Sequence, residues 1–219
     1  MFATDCIDPA LKPLQIDQTI SDALDWCTAQ HTHYAIVCDR DQWLGVISEE
    51  ILLDIDDFRK LKEVEGLLQP FHLSEDTHIF DVLKSAHLYH TAVLPVVTAE
   101  KELRGITSAV TILEGWAKDS QFSGPGGIIV IELLPKDYSL SEIAKIVESN
   151  NASILHSMMS AAPNKEHIRI SLKINKNDLK DIQFTFERFN YEVVAVIHQS
   201  EYEIELQDRL DSLMKYLEV

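Results

Sequence analysis

The chain has 219 residues, 46% hydrophobic and 25% charged, with 36 acidic against 19 basic side chains and a formal net charge of −17. This is the composition of a globular protein rather than a disordered one, and its negative field, with no Lys/Arg stripe to offset it, excludes nucleic acid as a partner. No apolar run approaches the ~20 residues that span a bilayer. The start MFATDCIDPALKP lacks the basic head and apolar core of a signal peptide. Cys6, Cys27 and Cys38 show no metal or redox spacing and read as reduced, buried thiols, so the expectation is a cytoplasmic protein with no membrane association.

The chain says nearly the same thing twice. LQIDQTISDAL (Leu14 to Leu24) returns as LSEDTHIFDVL (Leu73 to Leu83), 59 positions later. The register persists through His31/His90 and the apolar runs Tyr34–Cys38 and Val93–Val97. It slips by one in the next turn and recovers at Gly45–Ser48 against Gly105–Ser108. An internal repeat fixes architecture before any finer reading. Two copies of a small α/β unit, spanning 1–60 and 61–120, should pack about a pseudo-two-fold axis with a cleft between them.

Within each copy the spacing predicts a short strand near Leu14 or His72. A helix follows, opened in copy one by Thr19 with Asp22 three residues on, close to a capping box. Ile20, Ala23, Leu24 and Cys27 recur at helical spacing. YAIVCDRDQWLGVIS then reads as strand, polar turn and strand, and VLPVVTAEKELRGITS repeats the pattern. Ser48 and Ser108 are well placed to cap the helices that follow. Asp54 to Gln69 reads as a polar, partly helical connection.

KDSQFSGPGG marks the boundary, with 121–127 expected as a linker because Pro125, Gly126 and Gly127 would break any helix. Beyond it, 128–200 runs strand, helix, strand, strand, helix, strand, the βαββαβ order of a ferredoxin-like fold. The tail 201–219 sets Leu206, Leu210, Leu213 and Leu217 at heptad-like steps, which suggests a short helix and a partner, most simply a second copy.

The doubled unit resembles a pair of CBS domains, a Bateman module. The resemblance rests on the strand–helix openings, on Val93-Leu94-Pro95-Val96-Val97, and on the glycine–apolar–serine closings at Gly45–Ser48 and Gly105–Ser108. The segment PKDYSLSEIAKIVESNNASIL resembles an ACT domain, and the combination resembles regulatory proteins of the acetoin-utilisation B type. The fold class implied is α/β (α+β): a tandem CBS pair, a ferredoxin-like ACT-like domain and a C-terminal helix. The function implied is non-enzymatic: a sensor binding a small ligand, such as an AMP-like adenosine compound, in the CBS cleft and relaying it to the ACT-like domain as a homodimer or higher assembly. The alternative is a ligand-free oligomerisation or adaptor module with degenerate sites.

The resemblance implies a cleft formed by Ser108, Thr111, Pro95, Leu94, His78 and Ser48. In that family a carboxylate three residues after the Ser/Thr holds the ribose hydroxyls. This chain has Ile51 in copy one and Thr111 in copy two, so the two clefts should be unequal. Amino-acid-binding ACT domains carry a glycine after the first strand, near where Ser139 falls here. His31-Thr32-His33 and His87-Leu88-Tyr89-His90 are better read as structural than as metal ligands, since four converging donors are lacking. No Gly-rich phosphate loop and no Ser/His/Asp or Cys/His arrangement emerges. Trp26, Trp43 and Trp116 read as core or interface anchors.

Overall fold

In the first copy, β1 (Leu14–Gln15), α1 (Ile20–Gln30), β2 (Tyr34–Asp39), β3 (Gln42–Ser48) and α2 (Glu49–Leu53) follow one another. The second copy repeats the order with β4 (Leu73–Ser74), α3 (Ile79–Leu88), β5 (Pro95–Val97), β6 (Leu103–Ile106) and α4 (Ala109–Asp119). The computed structural model describes residues 1–119 and 125–198. The chain divides into two compact units, Met1–Asp119 and Ser120–Val219.

Each copy builds its own three-stranded sheet, in the orders β1-β2-β3 and β4-β5-β6. The first pair of each is parallel and the second antiparallel, with a bulge at Val37/Cys38 and at Val96/Val97. The capping box opening α1 is complete: Thr19 Oγ1 accepts from Asp22 N at 3.1 Å, and the Asp22 carboxylate accepts from Thr19 N at 2.8 Å. His78 replaces Thr19 in copy two, and its Nδ1 accepts from Phe80 N at 3.3 Å. His31 and His90 both adopt left-handed backbone, at φ 49° and 51°. These histidines turn the chain from helix to strand, a conformation His tolerates better than most side chains.

The repeat spacing becomes a physical contact at the pseudo-dyad. Thr32 and Thr91, both buried, hydrogen-bond to each other at 2.9 Å across 59 residues. Alongside, Trp43 N and Gln42 Nε2 both donate to the Lys101 carbonyl, at 3.0 and 2.8 Å. Val46 and Gln69 exchange backbone bonds of 2.9 and 2.7 Å.

The packing boundary differs from the division at 60/61. A 3₁₀ turn at Ala3–Cys6 precedes copy one yet places Ala3 and Cys6 in the copy-two core with Leu73, Ile79, Val82 and Leu94. Its counterpart, Leu61–Leu67, precedes copy two yet places Leu61 and Val64 in the copy-one core with Leu14, Ile20 and Ala23. The Asp5 carboxylate accepts from Phe2 N at 2.8 Å, as Glu63 does from Lys60 N at 3.1 Å. The physical reason is burial: each copy opens on a strand of only two residues, and the exchanged segment adds apolar side chains to its core. A leucine buried this way contributes roughly 1.5–3 kcal/mol. Each copy is thus completed by the segment preceding the other.

The second unit contains β7 (Gly127–Leu133), α5 (Leu140–Glu148), β8 (Ile154–Ala161), β9 (Ile168–Ile174), α6 (Lys180–Arg188) and β10 (Glu192–Ile197). The sheet order is β10-β7-β9-β8 with every pair antiparallel, the ferredoxin-like arrangement. Ile129, Ile131, Ile170 and Leu172 alternate inward to meet Ile143, Ile182 and Phe186 from the helices. Gly127, expected in the linker, is instead the first residue of β7. The backbone explains why glycine stands before it: Gly126 sits at φ +138°, and a Cβ there would lie 2.0 Å from the Ile174 carbonyl oxygen. Residues 121–124 and the leucine-bearing tail 201–219 lie outside the described residues.

Candidate functional site

The site expected in copy two is built where β6 ends and α4 begins. Ser108 N donates to Thr111 Oγ1 at 3.0 Å, and Thr111 N donates to Ser108 Oγ at 3.2 Å. The two hydroxyls are 3.1 Å apart and half-buried. The Thr111 hydroxyl lies 2.5 Å from the Cys6 carbonyl oxygen, to which it donates. A hydroxyl has one hydrogen and two acceptor positions. Thr111 therefore spends its hydrogen on the N-terminal strap and its acceptor positions on Ser108, leaving an acceptor position on Ser108 Oγ.

The remaining expected residues have structural places of their own. Leu94 is fully buried in the copy-two core, and Pro95 beside it opens β5. His78 is exposed and caps α3. In copy one, Ser48 Oγ accepts from Ile51 N at 3.4 Å, and the Ile51 side chain packs against that copy's core. His33 Nδ1 and Glu49 pair at 3.1 Å on the exposed rim.

Two features are invisible to sequence reasoning. Thr107 is fully buried, accepts from Leu94 N at 3.1 Å, and has the Ala92 and Leu94 carbonyls at 3.2 and 3.3 Å. It fastens β5 to β6 directly beneath Ser108, where the neighbour of Ser48 in copy one is Ile47. The second is an aromatic cluster. Phe71 stacks on Tyr89 at 4.1 Å with rings 10° apart and meets Tyr34 edge-on at 5.0 Å. Phe71 packs both with the Leu94 cluster and with Val93. The counterparts 59 residues away are Lys12 for Phe71 and Gln30 for Tyr89, so the two copies are chemically distinct at these positions.

The N-terminal strap is held by three further bonds: Ala3 N to Thr77 O at 2.8 Å, Ile79 N to Met1 O at 3.2 Å and Asp8 N to Ile106 O at 2.8 Å. A cavity of about 510 Å³ lies beside it, lined by Met1, Asp5, Gly115 and Lys118. Burial, with help from Asp5, pushes the Cys6 thiol up. Burial likewise pushes Cys27 and Cys38 to about 12. These are inert thiols rather than nucleophiles. Among the described residues no group of three or more His, Cys, Asp or Glu side chains could hold a metal ion.

In the second unit Ser139 caps α5, its Oγ accepting from Glu142 N at 3.3 Å. A cavity of about 400 Å³ is lined by Glu132, Asp137, Glu142, His167, Tyr191 and Glu192, among others. The Tyr191 hydroxyl is pushed up to about 12 by burial and by Glu142 and Asp137. The residues at the position of the missing glycine thus serve the helix start.

No family model and no curated protein matches the chain. Among solved structures it is similar to a CBS domain pair/ACT domain protein from Thermotoga maritima, with 24% identity and a TM-score of 0.47, over 54% of this chain and 98% of that one. It is similar to the CBS domains of a transcriptional regulator from Streptococcus pneumoniae, with 17% identity and a TM-score of 0.43, over 52% and 98%. CBSX2 in complex with AMP is similar at 20% identity and a TM-score of 0.42, over 54% and 97%.

Proposed function

We propose that the chain is a non-enzymatic regulatory module of the CBS-pair type. It binds one small ligand of the adenosine class, AMP-like rather than ATP-like, at copy two, and relays the event to an ACT-like second domain. The observation that carries this reading is the half-buried pair Ser108 and Thr111 at the first turn of α4, against an Ile51 packed into the core at the same place in copy one. A ribose hydroxyl can donate to Ser108 Oγ as the site stands. A second bond, to Thr111, requires the Cys6 carbonyl to let go. Binding and the N-terminal strap are then in competition, and a ligand shifts that balance only by its differential affinity for the two states. Each added phosphate charge meets the unfavourable field of a −17 chain, which disfavours a triphosphate. The protein works in the cytoplasm as a homodimer.

A second reading, a ligand-free scaffold, is favoured by the same Thr111–Cys6 bond, which consumes the hydroxyl inside the protein. A thermal-shift screen of nucleotides, adenosylmethionine and amino acids separates them. A ligand at a hundred times its dissociation constant stabilises by ~2.7 kcal/mol, a rise of roughly 5–10 °C for a chain of this size. A scaffold would move with none of the compounds.

A further inference from the structure

The segments exchanged between the copies are fastened by the same joint, built once with a cap that titrates and once with a cap that does not. In copy one, Ile20 N at the start of α1 donates to the Arg59 carbonyl at 2.9 Å, and Thr19 forms an isolated antiparallel bridge with Lys60. The Thr19 hydroxyl caps that helix. In copy two, Ile79 N donates to the Met1 carbonyl at 3.2 Å, and His78 bridges Phe2 in the same way. There the cap is imidazole, His78 Nδ1 accepting from Phe80 N at 3.3 Å. The ring also touches the strap itself, with its centroid 6.1 Å from that of Phe2 and the planes at 84°.

The two caps answer a proton differently. A threonine hydroxyl keeps its lone pairs, whereas a neutral imidazole offers one nitrogen lone pair and an imidazolium none. No rotation of a protonated His78 ring can therefore restore the bond to Phe80 N. A cation is also misplaced at a helix N-terminus, where partial positive charge already gathers.

The charged groups around His78 are mostly acidic. The strap brings the Met1 amino group and Asp5, whose carboxylate already accepts from Phe2 N. The turn before α3 brings Glu75 and Asp76, and the first turn of α3 brings Asp81. Arg104 is engaged with Glu75 at 3.5 Å. These carboxylates give an imidazolium partners away from the cap, so a protonated ring has somewhere else to go.

We propose that His78 is a proton-operated release for the N-terminal strap. Neutral, it holds Met1 to Cys6 against copy two. Protonated, it drops the cap and lets the strap lift, which uncovers Cys6 and frees the Thr111 hydroxyl from the Cys6 carbonyl. The cap bond is present above the ordinary histidine range, about pH 6.5, and is lost as the pH falls through it. Copy one, capped by Thr19, keeps Leu61–Leu67 in place on both sides of that range. The inference stands apart from any ligand at Ser108.

Cys6 is fully buried, so its thiol reacts only when the strap opens, and the buried Cys27 and Cys38 of copy one serve as references in the same molecule. The test labels the native full chain with dithiodipyridine at about pH 8 and about pH 5.5, between which histidines titrate while ordinary carboxylates stay largely ionised. Each cysteine's rate is read by peptide mass and divided by its rate in the urea-unfolded chain at the same pH, which removes the thiol's own pH dependence. The relative rate at Cys6 is expected to rise about tenfold on acidification, equivalent to ~1.4 kcal/mol. It is expected to stay flat in H78T, which installs the copy-one cap, and at Cys27 and Cys38 in both proteins. A flat Cys6 in wild type overturns the proposal. So does an equal rise in H78T, and so does a rise shared by Cys27 and Cys38. Should H78T lose its thermal transition, H78N, another cap that does not titrate, replaces it under the same criteria.

Discussion

Replacing Thr111 by valine keeps the shape of the side chain and deletes its hydroxyl, so the consequences can be worked from the bonds that hydroxyl makes. The Cys6 carbonyl loses the donor 2.5 Å away, and Ser108 N loses an acceptor at 3.0 Å. A fully buried polar group left unpaired costs ~1–3 kcal/mol. Cys6 is fully buried and Ser108 half-buried, and with neighbouring groups relaxing around the gap the sum is about 2 kcal/mol. For a chain of this length that is a fall in Tm of roughly 4–8 °C. The loss should also be local. Native-state hydrogen exchange should quicken at Ala3, Asp8 and Ile79, whose amides hold the strap to copy two. It should stay unchanged at Leu61 and Ile20, which make the equivalent bonds to Gln18 and Arg59 in copy one. Thr111→Ser keeps the oxygen and should restore protection. Unchanged Tm and uniform protection in Thr111→Val would refute the view that this hydroxyl fastens the strap.

Gly45→Ala should cost about 3 kcal/mol, read as a lowered denaturation midpoint at constant slope. Gly45 sits at φ +154°, and a Cβ there would meet Leu68 Cβ at 2.8 Å and the Gln69 carbonyl at 2.9 Å. Gly105→Ala should cost less, because the added carbon meets only the Ile7 side chain, and an equal loss at both sites would refute the distinction. Alkaline stability should follow the buried thiols. Cys27 and Cys38 are held at about 12 in the fold against an ordinary 9.0. The folded state therefore keeps protons that the unfolded state releases, and their contribution is intact below pH 9 and is lost as the pH rises towards 12. Tm measured from pH 8 to 11 should fall more steeply in wild type than in Cys27→Ala/Cys38→Ala, and parallel curves would contradict this.

Much of the fold is written locally. The repeat spacing reappears as the Thr32–Thr91 bond, and Thr19 with Asp22 forms the capping box their spacing implies. The βαββαβ order of the second unit is carried by short apolar runs such as IIVIELL, by the alternation of IRISLKI and by amphipathic helices. What escaped the sequence depends on partners far away. The strap ATDCID and its counterpart LKEVEG share only an acid at the third place and small or apolar residues at the first and fourth, so nothing marks them as exchanged between copies. The Thr111–Cys6 bond spans 105 positions, and a threonine carries no mark of which carbonyl it will find. Phe71, Tyr89 and Tyr34 come from three elements and form a cluster only after the copies close on each other.

One adenosine-class site per chain, at copy two, can be read by titration calorimetry with AMP. One molecule should bind per chain, with affinity at least about tenfold weaker in Ser108→Ala, a loss of ~1.4 kcal/mol, and unchanged in Ile51→Ala. Two sites per chain, binding indifferent to Ser108, or no binding at all would contradict it.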